Sequence, residues 1–363
     1  MKVTLFYYFV FVVTTYMATH TADAQITVDN SAISVFWEIA DTLSTNKNPS
    51  SQLWEKFADH PAYAQLEIQA NRVRILKKTL PLVFKPSYSE KLNQVMEGEE
   101  SLSKHFAKHL QEIRLKRKKL EEDLKPLTNN VDSNKESYVK CAMEYLPDDI
   151  KKEDITITIY IALFEDNGFG GKDVVIDLLH VMNGTQEDNA GFFGHEFHHS
   201  LREKTRKHQI FKPKDSIYYP ITAALNKLPL EGVACLINKT KYFDDSYLSH
   251  IQSLHKTQQE SIKEFQELVK NASTNLQQID QALAGDLPNT EKRKQLLNSM
   301  PWGGHSVGFY MARAIEKELG KQVLIKTQYS CIDFIFMYQK AAEKNNGLYV
   351  FSDKTIEFLK AIE

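Results

Sequence analysis

Over residues 155–163, Ile155, Ile157, Ile159, Ile161 and Leu163 alternate with Thr156, Thr158, Tyr160 and Ala162, the period of two that marks a half-buried β-strand. The segment 173–181, with the β-branched run Val174-Val175-Ile176, predicts a second strand. Between them, Glu165-Asp166-Asn167-Gly168-Phe169-Gly170-Gly171 has the composition of a turn. No Gly-Lys-Ser/Thr follows its glycines, so it is not read as a phosphate loop. Elsewhere the apolar residues recur at helical spacings: over 33–43, 52–57 and 63–76, with breaks at Asn48-Pro49 and His60-Pro61. Residues 87–124 predict one long helix or a hairpin of two. Further helices are expected over 191–207, 216–227, 230–238, 247–284, 306–319 and 330–343. A small sheet among many helices makes the fold α+β and predominantly α-helical.

The 363 residues exceed what one hydrophobic core needs. Residues 1–24 read as a signal peptide: Lys2, an apolar run to about Ala18, then Ala22-Asp23-Ala24 as an A-x-A cleavage site. The run is short for a membrane span and contains Thr14 and Thr15, so no stable span is expected after cleavage, and the chain reads as secreted or periplasmic. Gln25 stands where a lipoprotein would need cysteine. A helical region over 25–139 is expected to precede the region over 140–363 that carries the chemistry. With 45 basic and 47 acidic residues there is no bulk field for nucleic acid. The basic run Lys116-Arg117-Lys118-Lys119 is interleaved with Glu112, Glu121, Glu122 and Asp123 and reads as a solvated helix face. Cys141, Cys235 and Cys331 show no C-x-x-C spacing and read as small apolar residues, not a disulfide scaffold.

The chemistry concentrates in Gly194-His195-Glu196-Phe197-His198-His199, a His-Glu-x-x-His segment in helical surroundings. Positions four apart on a helix lie about 40° from each other and one turn along, so His195 and His199 can reach one ion. Glu196, about 100° round from His195, flanks the open side, where it can accept a proton from water. His198 competes with His199 as the second ligand, but the pair four apart leaves Glu196 in this role. Zn2+ suits two imidazoles and one carboxylate, which fill three tetrahedral positions and leave the fourth for water. Phe192, Phe193 and Phe197 offer apolar packing around the helix.

A metzincin third ligand is absent, because Arg202 and Thr205 occupy the positions of its Gly and His. A distant carboxylate is therefore needed. Glu231 lies 32 residues after His199, follows Pro229, and has Gly232 and Ala234 beside it, small residues that let two helices approach. Its bland alternative is an ordinary first-turn acid favoured by the helix dipole.

Together, His195-Glu196-Phe197-His198-His199 and Glu231-Gly232-Val233-Ala234 resemble the gluzincin-like zinc-dependent peptidases of exported bacterial proteins, over about residues 155–312. The resemblance implies a zincin-like fold, with the His-Glu-x-x-His helix under a small sheet whose edge strand binds an extended peptide. Either of the strands over 155–163 and 173–181 would supply that edge. It implies peptide or protein substrates, zinc on His195, His199 and Glu231, and Glu196 as general base. Cys235 stands where the thermolysin-like pattern has an aspartate supporting a histidine. In Trp302-Gly303-Gly304-His305, continuing to Ala312, His305 and Tyr310 are candidates to stabilise an oxyanion. The competing function is a non-catalytic exported helical binding protein with a structural or vestigial metal site. Glu196 argues against it, since a structural site has no use for a base.

Overall fold

The computed structural model describes residues 24–151, 154–204 and 212–363. The expected leader falls outside these residues apart from Ala24, as does the end of the helix expected over 191–207. The chain opens with strand β1 (Gln25–Asp29) and helices α1 (Ser31–Ser44), α2 (Ser51–Asp59), α3 (Pro61–Ala70), α4 (Arg72–Phe84), α5 (Ser89–Glu97) and α6 (Leu102–Met143). The middle holds β2 (Thr156–Ala162), β3 (Gly168–Gly170), β4 (Val174–Asp177), α7 (Leu178–Asn183) and α8 (Gln186–Lys204). Then follow α9 (Tyr219–Leu225), α10 (Lys227–Lys239), α11 (Asp245–Leu248), α12 (Lys256–Lys270), α13 (Ala272–Ala284) and α14 (Asn289–Asn298). The last helices are α15 (His305–Leu319), α16 (Lys321–Thr327), α17 (Cys331–Glu343) and α18 (Asp353–Ile362). The fold is α+β and predominantly helical, and no described helix is long and apolar enough to cross a membrane.

The sheet has the order β1-β2-β4-β3, with β1 and β4 parallel to β2 and β3 antiparallel to β4. Strand β2 keeps the alternation of its sequence: Ile157, Ile159 and Ile161 are buried and Thr156 is exposed. The strand expected over 173–181 is shorter, because the Asp177 carboxylate accepts the His180 backbone N–H at 3.1 Å and starts α7 there. The expected edge also changes place. Both β2 and β4 are interior, and the sheet edge beside α8 is β3, formed inside the segment read as a turn. Gln65 of α3 clamps the β3–β4 hairpin, donating to the carbonyls of Asp173 (2.7 Å) and Phe169 (3.3 Å) and accepting from Asp173 N–H (3.0 Å).

Two hydrophobic cores meet at the middle of the chain. One unites the helices before residue 140 with the sheet, α7 and α8, through buried Phe36, Phe106, Ile159, Phe193 and Phe197. The other is built from α9, α10 and the later helices, around Leu236, Phe265, Phe309, Phe334 and Tyr338. Burial of apolar surface of this kind drives folding at roughly 25 cal/mol per Å². Helices α8 and α10 lie where the cores abut. The basic run of α6 is laced by ion pairs: Lys116 to Glu112 (2.7 Å), Arg117 to Glu121 (2.8 Å) and to Asp41, and Lys119 to Asp123 (2.8 Å). All three cysteines are free thiols, Cys235 and Cys331 buried and Cys141 half-buried.

Candidate metal centre

Helix α8 begins with a reciprocal cap: Thr185 Oγ1 accepts the Asp188 backbone N–H (3.1 Å) and donates to the Asp188 carboxylate (2.7 Å). Its faces are set by what each side buries. Phe193 and Phe197 are fully buried against Tyr138 of α6, Phe193 stacking on it at 4.3 Å. A Cβ at Gly194 would stand 2.7 Å from Cys141 Cβ of α6, so the small residue lets the helices close. His195 and Glu196 are buried and His199 nearly so.

His195 and His199 point their Nε2 atoms at each other across 3.1 Å. Glu231 Oε2 lies 3.2 Å from His199 Nε2 and 3.6 Å from His195 Nε2. Helix α10 starts at Lys227, one turn before Glu231, so Glu231 is not a first-turn acid. It is delivered by a backbone-to-backbone crossing with α15. A Cβ at Gly232 would lie 2.3 Å from the Gly308 carbonyl, and one at Gly308 would lie 2.2 Å from the Leu228 oxygen. Only glycines allow this approach.

The same crossing brings in His305. Its Nε2 is 3.0 Å from Glu231 Oε2, and its ring lies parallel to that of His195 at 5.7 Å between centroids. Its Nδ1 meets the Trp302 carbonyl oxygen. Gly304, at φ +100° and packed against Lys227, takes the left-handed conformation that starts α15 at this angle. Tyr310 is not brought to the cluster: its hydroxyl pairs with Ser273 Oγ at 3.2 Å and its ring neighbours Tyr338. His198 is fully buried elsewhere, with Nδ1 3.3 Å from the Ala142 carbonyl and Nε2 3.1 Å from Gln328 Oε1. It ties α8 to the segments flanking it and takes no part in the cluster.

Glu196 Oε2 accepts the backbone N–H of Gly170 at 2.7 Å, while Oε1 is 3.9 Å from His195 Nε2. Beside it, Ser200 Oγ accepts from Gly171 N–H at 3.0 Å. Helix α8 thus holds the edge strand directly. A Cβ at Gly170 would lie 1.9 Å from the Glu196 carbonyl oxygen, which explains a glycine in β3. Burial pushes the Glu196 carboxyl up to about 7. Burial alone would also raise Glu231, but His305, His199 and His195 outweigh it and hold this carboxyl well below the usual range. His195 is driven down to about 3 by burial.

The partner that orients His195 is Asn238, whose Oδ1 lies 3.3 Å from His195 Nδ1. Sequence reasoning missed it, although seven residues on from Glu231 is about 20° round a helix and therefore the same face. Cys235, at the supporting position of the thermolysin-like pattern, is buried and free. His195, Glu231 and His305 form one cluster with metal-ligand spacing, and His195, Glu196 and His199 form another.

The fold and this cluster define a mostly helical α+β protein with a His/Glu centre suited to a divalent metal. The sequence model of the family described as "Putative zinc dependent peptidase (DUF5700)" matches residues 54–347, and the chain belongs to that family. The match takes in α8, α10 and α15, and with them every residue of the centre. No curated protein and no solved structure matches the chain significantly.

Proposed function

We propose that the chain is a zinc peptidase in which His195, His199 and Glu231 hold the ion and Glu196 is the general base. The observation that carries this is the spacing of the three donor atoms, 3.1, 3.2 and 3.6 Å. Tetrahedral ligands at 2.0–2.1 Å from a zinc ion stand about 3.4 Å apart. Two imidazole nitrogens facing each other at 3.1 Å also present opposed lone pairs, which a proton or a cation between them relieves. A bound zinc ion supplies a Lewis acid and makes water a nucleophile near neutral pH.

The chain's own residues supply the rest. Gly170 N–H fixes Glu196 Oε2, which leaves Oε1 toward the ligands to take a proton and return it to the leaving amine. A carboxylate with one oxygen fixed and the other turned toward the ligands is placed for both transfers. Strand β3 is the sheet edge beside that carboxylate, the position from which the resemblance implies that an extended peptide is aligned. His305 Nε2 faces the same space, and with Nδ1 donating to the Trp302 carbonyl it would meet an oxyanion only as an imidazolium; Tyr310, turned toward Ser273, lies outside this role.

The non-catalytic reading has one observation in its favour. His305 directs Nδ1 to a backbone carbonyl, the orientation of a metal-ligating histidine, and a fourth protein ligand would close the coordination as in structural sites. Glu196 to Gln decides between the two. In the peptidase reading, E196Q retains zinc by elemental analysis while hydrolysis of a randomised peptide pool falls about 10²–10⁴-fold. Undiminished hydrolysis in E196Q refutes the mechanism, and zinc without hydrolysis in the wild type favours the structural site.

A further inference from the structure

Lys239 ends α10 beside the centre. Its ammonium stands 5.6 Å from the ring centroid of Tyr242 and 5.4 Å from that of Phe265. Among the described residues it makes no hydrogen bond and no ion pair, although it is half-buried. The cage adjoins the centre through its neighbours. Asn238, the preceding residue, contacts His195, and Trp302, 5.9 Å from Phe265 between ring centroids, offers its carbonyl to His305. Burial would lower the Lys239 pKa, but Tyr242, Cys235, Glu196 and Glu231 outweigh it and keep the group charged. Lys239 in turn opposes protonation of His305. The ammonium is therefore within the electrostatic reach of the centre while pairing with none of its carboxylates.

Formal charge shows what this cation lacks. A zinc ion, two neutral imidazoles and the Glu231 and Glu196 carboxylates sum to zero, and Lys239 leaves the site one unit positive. The acid next to the cage, Glu264, is exposed and engaged by the Trp302 indole N–H at 2.9 Å. Eight residues separate Lys239 from Glu231, about 12 Å along the helix and about 80° round it, and helical side chains lean back toward the N-terminus, here along the helix toward the level of Glu231. An extended peptide covers that distance in roughly three to four residues.

We propose that Lys239 is a specificity-determining residue that binds a substrate carboxylate, from an acidic side chain or a free C-terminus, within about four residues of the scissile bond. The proposal rests on the peptidase reading for the word substrate, but its test is a binding measurement. Three fluorescent decapeptide pools are titrated into zinc-treated full-length E196Q protein by anisotropy. One is free of acids with a C-terminal amide, one is free of acids with a C-terminal carboxylate, and one contains Asp and Glu with a C-terminal amide. A carboxylate pool is expected to bind about tenfold more tightly than the neutral pool, equal to about 1.4 kcal/mol. The advantage disappears in K239M and persists in K239R, and the pool that shows it identifies the carboxylate's source. Equal binding of all pools, or a preference that survives K239M, overturns the proposal. Binding discrimination by a wild-type protein that hydrolyses no pool sinks the peptidase reading and leaves Lys239 as a carboxylate site. Hydrolysis without discrimination does the reverse.

Discussion

Replacing Gly308 with Ala tests whether the crossing of α10 and α15 builds the centre. The new Cβ would lie 2.2 Å from the Leu228 oxygen and 2.9 Å from Gly232 Cα, whereas ordinary contact begins at 3.4 Å. Both neighbours are backbone, so the helices must part by about 1.2 Å, the difference between 3.4 and 2.2 Å. Alanine gains about 1 kcal/mol in helix propensity, but overpacking of this kind costs about 1–3 kcal/mol and rigid backbone puts it at the upper end. A net loss of about 2 kcal/mol over the 363 residues lowers Tm by about 3 °C. The effect on the centre is larger, because Glu231 adjoins Gly232 and ligand distances tolerate only about ±0.2 Å. Zinc affinity, measured by competition with a fluorescent chelator, is expected to fall about 100-fold, or about 2.7 kcal/mol. The control is G347A, where the added Cβ meets only Asn345 Oδ1, at 3.4 Å. A G308A protein with unchanged zinc affinity and Tm would falsify the crossing as the origin of the site.

Local pattern made part of the fold legible. Strand β2 is readable because alternation is a property of consecutive residues, and the body of α8 because the His195–His199 spacing and the phenylalanines lie within one helix, while its first turn, from Gln186, lies before the expected start at 191. Strand β1 was not readable, since its pairing partner is β2, about 130 residues away, and Ile26 and Val28 alone carry no period. Strand β3 contradicts its own propensities: Gly-Phe-Gly is a poor strand sequence, held in place by the Glu196 carboxylate, the Ser200 hydroxyl and Gln65. The helical period over 247–284 is nearly continuous, yet α11, α12 and α13 are separate, with Asn271 ending α12.

The centre divides along the same line. His195, Glu196 and His199 share one helix, so their geometry follows from 3.6 residues per turn. Glu231 was indicated by the small residues beside it, and Gly232 with Gly308 shows their purpose. Which helix crosses α10, and hence that His305 would meet Glu231, is a tertiary fact with no local signature. Tyr310 illustrates a constraint that sequence did contain. It lies five residues after His305, about 140° round α15, so the two side chains cannot face one cluster.

Two further perturbations probe the surroundings of the centre. Asn238→Ala removes the group that meets His195 Nδ1, and such losses weaken metal binding about 10–100-fold; chelator competition that shows wild-type affinity refutes this positioning role. Asp166→Asn addresses the ion pair behind α8, where Asp166 Oδ1 lies 2.6 Å from His180 Nδ1 and the His180 ring packs 4.0 Å from that of Phe192. Burial alone would raise the Asp166 carboxyl, but the hydrogen bond and charge of His180, with His109 and His105, outweigh it and bring it to about 2 from 3.8. A carboxyl whose folded pKa lies below its unfolded value stabilises the fold fully above the unfolded pKa, and this contribution fades as pH falls through the folded one. The Tm difference between wild type and D166N is therefore expected to shrink steadily as the pH falls from about 5 toward 2. Thermal melts across that range decide the matter: a difference independent of pH means that Asp166 supports α8 by packing and not by its charge.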